Sequence, residues 1–225
     1  FDLAVLRDIS PRLRAHAEAE GRRWQARAVM RRGEVIGLLP PDAAPMGLAV
    51  DVGTTKIAAY LVNLESGRTL ASHGLMNPQI AYGEDVVARI ALAEHDGAKR
   101  TLLQELVVGA INDAAAELCA QVHADPAQIA DAVVVGNTAM HHLFLGLPVR
   151  QLGLAPYVPA VVSALDVKAR DLGLRLAPGA YVHLLPNVAG YVGADHVAML
   201  LATRIEQQRG LVLAIDIGTN TEICL

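Results

Sequence analysis

Two stretches of the chain share one pattern, an apolar strand that ends in Asp and is followed by a short turn containing Gly and Thr. The first is LAVDVGTTKIAAYL, over residues 48–61, and the second is LAIDIGTNTEICL, over residues 213–225. The two aspartates, Asp51 and Asp216, are 165 positions apart, which leaves room for one α/β lobe between the copies. We therefore expect Asp51 and Asp216 to face each other across one cleft.

Both turns have the composition that a polyphosphate-binding loop needs. Glycine lets the backbone approach phosphate oxygens closely, and N–H groups and hydroxyls supply donors. A carboxylate that ends an apolar strand is costly to bury unless it meets a metal ion, water or a donor, and magnesium is commonly shared with phosphates. Asp51 and Asp216 are thus predicted catalytic residues and magnesium ligands. The predicted phosphate-binding residues are Gly53, Thr54, Thr55, Lys56, Gly218, Thr219, Asn220 and Thr221.

An ordinary hairpin turn explains either copy taken alone, because Asp and Gly are frequent in turns and Thr is frequent in strands. The recurrence of the turn in the same strand-end context favours the phosphate-loop interpretation. Lys56 either adds a positive charge to the first turn or points to solvent from the start of its strand.

Periodicity predicts an α/β lobe over residues 47–210, which begins with an antiparallel meander of three strands. The predicted strands are 48–52, 56–64, 68–75, 130–137, 180–185 and 211–217, and the predicted helices are 83–95, 98–123, 138–145 and 193–207. A helix and a hairpin are expected within residues 1–46, as a linker or middle region. Residues 211–225 are expected to open a truncated second lobe, so that the chain is a fragment of a longer protein.

Composition excludes some functions. Apolar residues make up 53% of the 225 residues, enough for a sizeable core, and the net charge of −4 gives no electrostatic basis for binding nucleic acid. No apolar run reaches the roughly 18 residues that a membrane-spanning helix needs. Cys119 and Cys224 lie far apart in the sequence, so both are expected to be core residues, and a cytoplasmic setting fits best.

The two Asp-x-Gly-Thr turns resemble the phosphate loops of the actin, seventy-kilodalton heat-shock chaperone and sugar kinase superfamily. The segments NPQIAYGEDVVARI, VVVGNTAMHHLFLG and LLPNVAGYVGADHVAMLLA resemble the reductive activators of corrinoid proteins. In that family a two-iron two-sulfur domain precedes a linker, a middle domain and an actin-like ATPase domain. The resemblance implies a ribonuclease-H-like lobe, in which three antiparallel strands lead into a mixed sheet flanked by helices.

The same resemblance implies ATP- and magnesium-dependent reductive activation of a partner corrinoid protein. ATPase activity would support reduction of Co(II) to Co(I) by an iron–sulfur cluster outside this chain. A phosphotransferase of the sugar or acetate kinase type and a nucleotide-dependent actin-like assembly protein are the alternatives. The isolated chain is expected to bind ATP weakly, to be inactive as an ATPase and to self-associate, for example as a homodimer.

Residues Asn187 and Asp195 lie in a segment that resembles the superfamily's first connecting motif. Such polar residues orient the attacking water in phosphoryl transfer, and we predict a catalytic role for both. The alternative is that they cap a strand-to-helix turn. The pair His141 and His142 does not predict a chelating site, because adjacent residues on a helix point in different directions.

Overall fold

The structure is a computed structural model that describes residues 1–19, 24–218 and 221–225. Its regular elements include both helices and strands, as expected for an α/β chain. The helices are α1 (Leu3–Ala19), α2 (Val86–Ala93), α3 (Gly97–Gln121), α4 (Thr138–Phe144) and α5 (Ala194–Thr203). The strands are β1 (Arg27–Arg31), β2 (Glu34–Leu39), β3 (Met46–Val52), β4 (Lys56–Asn63), β5 (Thr69–Met76), β6 (Ile129–Val135), β7 (Leu165–Lys168), β8 (Tyr181–Leu184), β9 (Ala214–Ile217) and β10 (Thr221–Cys224).

Six strands form one mixed sheet in the order β5-β4-β3-β6-β8-β7. Strands β3, β4 and β5 are an antiparallel meander, β6 and β8 continue parallel to β3, and β7 pairs antiparallel with β8 at the edge. The predicted fold class, three antiparallel strands leading into a mixed sheet flanked by helices, is confirmed. The edge strand β7 was not predicted, because its four half-buried residues are too few to show a clear periodicity.

Helix α3 supplies much of the core beneath this sheet. Leu103, Val107, Ile111 and Leu118 are each fully buried, and their spacings of four and seven residues place them on one face of the helix. Leu48 and Val50 lie two positions apart on β3, and each is 2% exposed. The central strands are therefore held by packing as well as by their hydrogen bonds, and they provide a rigid base for the turns at their ends.

The opening helix and hairpin are observed as predicted. Strands β1 and β2 pair through a turn at Arg32 and Gly33, whose φ values of 48° and 84° are those of a type I′ turn. Helix α1 packs on β2 through a small cluster that includes Val5 and Val35. These elements do not join the six-stranded sheet, so other contacts must hold them to it.

Ion pairs make that attachment. Asp2, just before α1, accepts hydrogen bonds from Arg170 at 2.8 and 2.9 Å and lies 2.9 Å from Lys168 Nζ. Lys168 also donates to Glu34 Oε2 at 2.9 Å. Burial alone would raise the pKa of Asp2, but the bonds from Lys168 and Arg170 outweigh it and lower that pKa to about 2. We call these four residues the Asp2 cluster.

A second set of charged residues joins β1 to the edge of the sheet. Arg31 donates to Asp166 Oδ1 at 2.6 Å, and His183 Nδ1 lies 2.8 Å from the same oxygen. The bond from Arg31, opposed by desolvation and assisted by His183, lowers the pKa of Asp166 to about 2. The guanidinium of Arg31 also stacks over Tyr181, 4.5 Å from the ring centroid.

Strand β9 starts at Ala214 rather than at residue 211, and it pairs antiparallel with β10 in a separate two-stranded ladder. The sequence predicted a single strand here that would need another sheet or another copy. The strand β10 was not predicted; it forms because the residues after the turn fold back and pair with β9. The self-association of the chain stays a prediction. Cys119 is buried in α3, as expected, whereas Cys224 in β10 is only half-buried. None of the described helices is both long and apolar enough to cross a membrane.

Candidate functional site

The first Asp-x-Gly-Thr turn connects β3 to β4 at the centre of the sheet. Asp51 pairs with Ala58 across the ladder, and Gly53 and Thr54 make the turn itself. A Cβ on Gly53 would lie 2.6 Å from the carbonyl oxygen of Lys56, so a larger residue would force the turn to open. The glycine is thus needed for the chain to reverse so tightly, and its turn brings Thr54 and Lys56 to the sheet's edge.

The second turn connects β9 to β10 and has the same strand-end aspartate. Asp216 is paired directly with Glu222 across this ladder, so the two carboxylates share one face of the hairpin. Gly218 and Thr221 are exposed beside the turn. The predicted phosphate-binding residues Thr219 and Asn220 lie outside the described residues.

The two turns open onto one cavity of about 340 Å³. Its described lining includes both strand-end aspartates, one face of each turn and the first turn of α5. These residues are Asp51, Gly53, Thr54, Thr55, Lys56, Asn137, Asp195, Asp216, Ile217, Gly218 and Glu222. Asp51 and Asp216 therefore face a common cleft, as the duplicated sequence led us to expect.

Four carboxylates surround this cavity. Burial raises the pKa of Asp51 to about 6, and the negative charges of Asp195 and Asp216 add to the effect. Burial also raises the pKa of Asp195, with Asp216 contributing, and that of Glu222, with Asp195 and Asp216 contributing. Among the described lining residues, Lys56 is the only cation. The cleft is thus suited to a cation, or to an anion that has a cation bound to it.

Two residues of the cavity were missed by sequence reasoning. Asn137 accepts from the N–H of Met140 at 3.0 Å, which caps α4, and its amide donates to Thr54 Oγ1 at 3.1 Å. It thereby connects β6 and α4 to the first turn. An asparagine between a buried strand and a helix, in VVVGNTAM, was the available signal, but only the fold shows its proximity to Thr54. The other is Glu222. A hairpin that pairs Glu222 with Asp216 would have indicated its position in the cavity.

The structure separates the two residues of the predicted connecting motif. Asp195 lines the cavity from the first turn of α5, where its Oδ1 accepts from the N–H of His196 at 2.8 Å. Asn187 is buried and its N–H donates to Val162 O at 2.9 Å, but it is not among the described residues that line the cavity. Its side-chain amide has no hydrogen-bond partner among the described residues. A catalytic role for Asn187 stays a prediction.

The adjacent histidines of α4 are both buried. His142 has its Nδ1 2.7 Å from Thr138 O, and its Nε2 accepts from the N–H of Ala160 at 3.0 Å, so the neutral ring connects the helix to a loop. Burial lowers the pKa of His141 to about 4, and the neighbouring His142 adds to this effect. The two side chains act in the packing of α4 and do not line the cavity described above.

Two sets of residues in the cleft have suitable atoms for a metal ion. Asp51 and Asp216 supply the oxygen ligands that magnesium prefers. In addition, ligand atoms of His196, Asp216 and Glu222 lie within 4.8 Å of one another. An imidazole beside two carboxylates suits a transition metal better than magnesium. Asp216 belongs to both sets, so they are parts of one site.

A family model described as the RACo middle region matches residues 46–208. That span begins at the first residue of β3 and includes the six-stranded sheet and helices α2 to α5. It covers well over half of the chain, and it includes the first turn, Asn137 and Asp195.

Individual relatives agree with this match. The chain is 35% identical to the corrinoid activation enzyme RamQ of Eubacterium limosum, over 80% of this chain and 30% of the relative. It is 24% identical to a [Co(II) methylated amine-specific corrinoid protein] reductase of Methanosarcina barkeri, over 80% of this chain and 34% of that protein. The chain thus spans about a third of the length of these curated relatives.

A solved structure has the same fold. It is a reductive activator for corrinoid, iron-sulfur protein, with a TM-score of 0.80 and 36% sequence identity. The match covers 84% of this chain and 30% of the solved chain. Because the family model and the structure agree on sequence and fold alike, we conclude that this chain belongs to the family of reductive activators of corrinoid proteins that contain the RACo middle region.

Proposed function

We propose that this chain forms the magnesium-ATP side of a reductive activator and that nucleotide binding supports the reduction of a partner corrinoid protein from Co(II) to Co(I). The observation that carries the proposal is the single cavity between the two Asp-x-Gly-Thr turns. The names of the relatives support a corrinoid protein as the partner and favour this function over a small-molecule phosphotransferase.

The lining residues fit a nucleotide that carries its metal. Four carboxylates would repel a free polyphosphate, whereas magnesium bound to the phosphates neutralises charge on both sides. Asp51 and Asp216 would hold the ion, directly or through waters. When bound, magnesium polarises the phosphoryl group and stabilises the charge that develops on it.

The protein groups around that position have separate tasks. Thr54 and Lys56 offer a hydroxyl and an ammonium group at the first turn, and Gly218 offers its backbone at the second. Asp195 is in place to orient a water molecule, because it lines the same cavity and its raised pKa favours accepting a proton. Hydrolysis would then depend on positioning and on electrostatic stabilisation more than on covalent chemistry.

An iron–sulfur cluster does not fit this chain. A two-iron two-sulfur cluster is held by four cysteines or by a mixture of cysteine and histidine, and the sequence has only Cys119 and Cys224. Cys119 is buried in α3 and Cys224 lies in β10. In this proposal the electron that reduces the corrinoid comes from a cluster whose cysteine ligands lie outside these 225 residues.

The test replaces each strand-end aspartate by its neutral isostere in the full-length activator. We expect Asp51→Asn and Asp216→Asn to reduce magnesium-dependent ATP hydrolysis by about a hundredfold, because one metal-linked charge is lost in the transition state. Phosphate release is measured with and without the partner corrinoid protein, and Co(I) formation is followed by absorbance. Nucleotide binding should be weakened less than hydrolysis, because the donors of the turns remain.

The matched control is Asp113→Asn, which makes the same change on the exposed face of α3, where the side chain is 81% accessible. Hydrolysis at the wild-type rate in both cleft variants would remove these residues from the mechanism. A phosphorylated small molecule as the product, in place of free phosphate, would support the phosphotransferase alternative.

A further inference from the structure

The segment NPQIAYGEDVVARI has no role in the site described so far, although three of its polar residues are among the most deeply buried polar residues that the structure describes. Asn77, Gln79 and Arg89 are 1%, 0% and 0% exposed. Polar side chains so deeply buried need hydrogen-bond partners. Three of their hydrogen-bond partners are carbonyl groups of the first turn, and these contacts show what the segment does.

Three successive carbonyl groups of that turn accept hydrogen bonds from this segment. The Asn77 amide donates to Gly53 O at 2.8 Å, Arg89 Nη2 donates to Thr54 O at 2.6 Å, and the N–H of Asn77 donates to Thr55 O at 2.9 Å. In a trans peptide the C=O and the following N–H point in opposite directions. The three carbonyl groups are held on the side of the turn that faces the segment. The orientation of their peptide planes relative to the cavity, on the opposite side of the turn, is therefore fixed.

The remaining contacts of Arg89 are also with neutral groups. Nε donates to Gly83 O at 2.9 Å, and Nη1 donates to Gln79 Oε1 at 3.1 Å. Gln79 is itself held by a bond from its Nε2 to Leu103 O at 2.8 Å. No carboxylate forms an ion pair with Arg89 among the described residues. Burial lowers its pKa to about 10, which still leaves the guanidinium charged at neutral pH.

The negative charge of Asp85 acts on Arg89 without forming an ion pair, and it partly offsets the effect of burial. A buried charge without a paired counterion is costly, and such a charge is normally paired. Here it lies directly behind the turn that faces a cavity lined by Asp51, Asp195, Asp216 and Glu222. Because water does not reach the guanidinium, its field is screened little and acts on groups bound in front of the turn. A polyphosphate is the ligand chemistry that would benefit from such a charge.

We propose that Arg89, assisted by Asn77 and Gln79, is a positioning residue for polyphosphate. It fixes the first turn through the Thr54 carbonyl and supplies the buried positive charge that makes the turn selective for ligands with more phosphate groups. This inference rests on the proposed nucleotide function and extends it to residues that do not line the cavity.

Calorimetry on the full-length activator measures the Kd for magnesium ATP and the Kd for adenosine. The ratio of the two Kd values is the ATP-to-adenosine preference. Arg89→Met keeps most of the volume and removes the charge. We expect its Kd for magnesium ATP to rise about 30-fold, because a little-screened positive charge behind the phosphates is lost. The Kd for adenosine, which has no phosphate, should change by less than about threefold. Arg175→Met is the control, because that arginine is 75% exposed in its side chain.

Two further variants separate the charge from the hydrogen-bond geometry. Arg89→Lys keeps the charge but cannot reach three acceptors at once, so it should lower the melting temperature and leave the ATP-to-adenosine preference within about threefold of wild type. Gln79→Glu leaves Arg89 in place and puts a carboxylate at the position now 3.1 Å from Nη1. It should reduce the preference as Arg89→Met does, and it provides the test if Arg89→Met does not fold.

An unchanged ATP-to-adenosine preference in both Arg89→Met and Gln79→Glu would overturn the proposal, because a merely structural residue would weaken both ligands equally. If the wild-type protein bound neither ligand, the nucleotide function itself would fail. The two failures are therefore distinguishable by the behaviour of the wild type.

Discussion

The two Asp-x-Gly-Thr turns begin with the same sequence pattern and differ in what surrounds them. The first lies between two central strands and is held by Asn77, Arg89 and Asn137. The second lies at the end of β9, which pairs only with β10 among the described strands. Ile217 and Ile223 beside it are 81% and 67% exposed, whereas Ile57 beside the first turn is fully buried.

This difference separates what a local pattern determines from what the rest of the fold contributes. Both copies form a hairpin, because the strand, the glycine and the following β-formers are encoded locally. Among the described residues, only the first copy has hydrogen-bonded supports of this kind, and they come from residues 24 to 83 positions further along the chain. We expect the first turn to be a fixed half of the site and the second to be the half that adapts to a ligand.

Hydrogen exchange should show the largest difference between the two turns. Amides of β3 should exchange only through global unfolding, whereas those of β9 should open locally, because a lone two-stranded ladder is marginally stable. We expect protection factors that differ by about a thousandfold, equivalent to about 4 kcal/mol in the free energy of opening. Mass-spectrometric or NMR exchange on this chain measures both at once. Equal protection would mean that contacts other than the β9–β10 ladder stabilise the second hairpin.

Substitution of the first glycine should have the next largest effect. Gly53→Ala places a methyl group 2.6 Å from the backbone oxygen of Lys56, so the turn must shift, at a cost of about 3 kcal/mol in the free energy of unfolding. Gly74→Ala is the control, because no heavy atom outside its immediate neighbours lies within 4 Å of a Cβ at that position. Denaturant titration measures both variants. A loss for Gly53→Ala no larger than for Gly74→Ala would show that the turn tolerates a side chain.

Acid should loosen the attachment of α1 and leave the bracing of the first turn intact. The pKa values of Asp2 and Asp166 are both lowered to about 2 from 3.8. The stability they contribute is therefore complete above about pH 4 and is lost as the pH falls towards 2, by about 2 kcal/mol for each carboxylate. The partners of Arg89 are neutral and do not titrate in this range.

Unfolding free energies between pH 5 and pH 2 measure this loss, with Asp2→Asn as the comparison. That variant should be less stable than wild type at pH 5 and should lose less stability on acidification. Parallel curves for the two proteins would contradict the role assigned to the Asp2 cluster.

Removal of the Asn137 side chain should have the smallest effect on stability. Asn137→Ala removes the cap of α4 and the bond to Thr54, and we expect a loss of about 1.5 kcal/mol. Asp96→Ala removes only a cap, that of α3, where Asp96 accepts from the N–H of Ala98 at 2.8 Å. We expect about 1 kcal/mol there. Nucleotide affinity should fall in the first variant alone, and an equal fall in both would mean that Asn137 has no special connection to the turn.

Sequence reasoning predicted the elements and their order well, because periodicity and turn residues are local signals. It predicted the common cleft of Asp51 and Asp216 from the duplication alone. It did not predict that Glu222 would face Asp216, or that Asn137 would reach Thr54, because both depend on pairing and on crossovers between distant segments. Asn187 was predicted from a motif but does not line the described cavity. The resemblance to the motif gave no information on the direction of its side chain.

The segment around Arg89 shows the same limit more sharply. The sequence predicted a helix over residues 83–95 and a family resemblance for NPQIAYGEDVVARI, but it assigned no role to the polar residues of this segment. In the structure Gln79 and Arg89 are fully buried. Hydrophobicity scales place such residues outside, and the backbone carbonyl groups to which they donate, those of Thr54, Gly83 and Leu103, explain why they are inside.

The Asp2 cluster has a consequence for the order in which the protein folds. The contact between Asp2 and Arg170 joins residues 168 positions apart, whereas the meander of β3, β4 and β5 is made of near neighbours. Closing so long a loop has a high entropic cost and gains nothing until the sheet edge exists. We therefore expect helix α1 to dock after the transition state, and we expect weakening of the Asp2 cluster to accelerate unfolding while the rate of folding stays nearly constant.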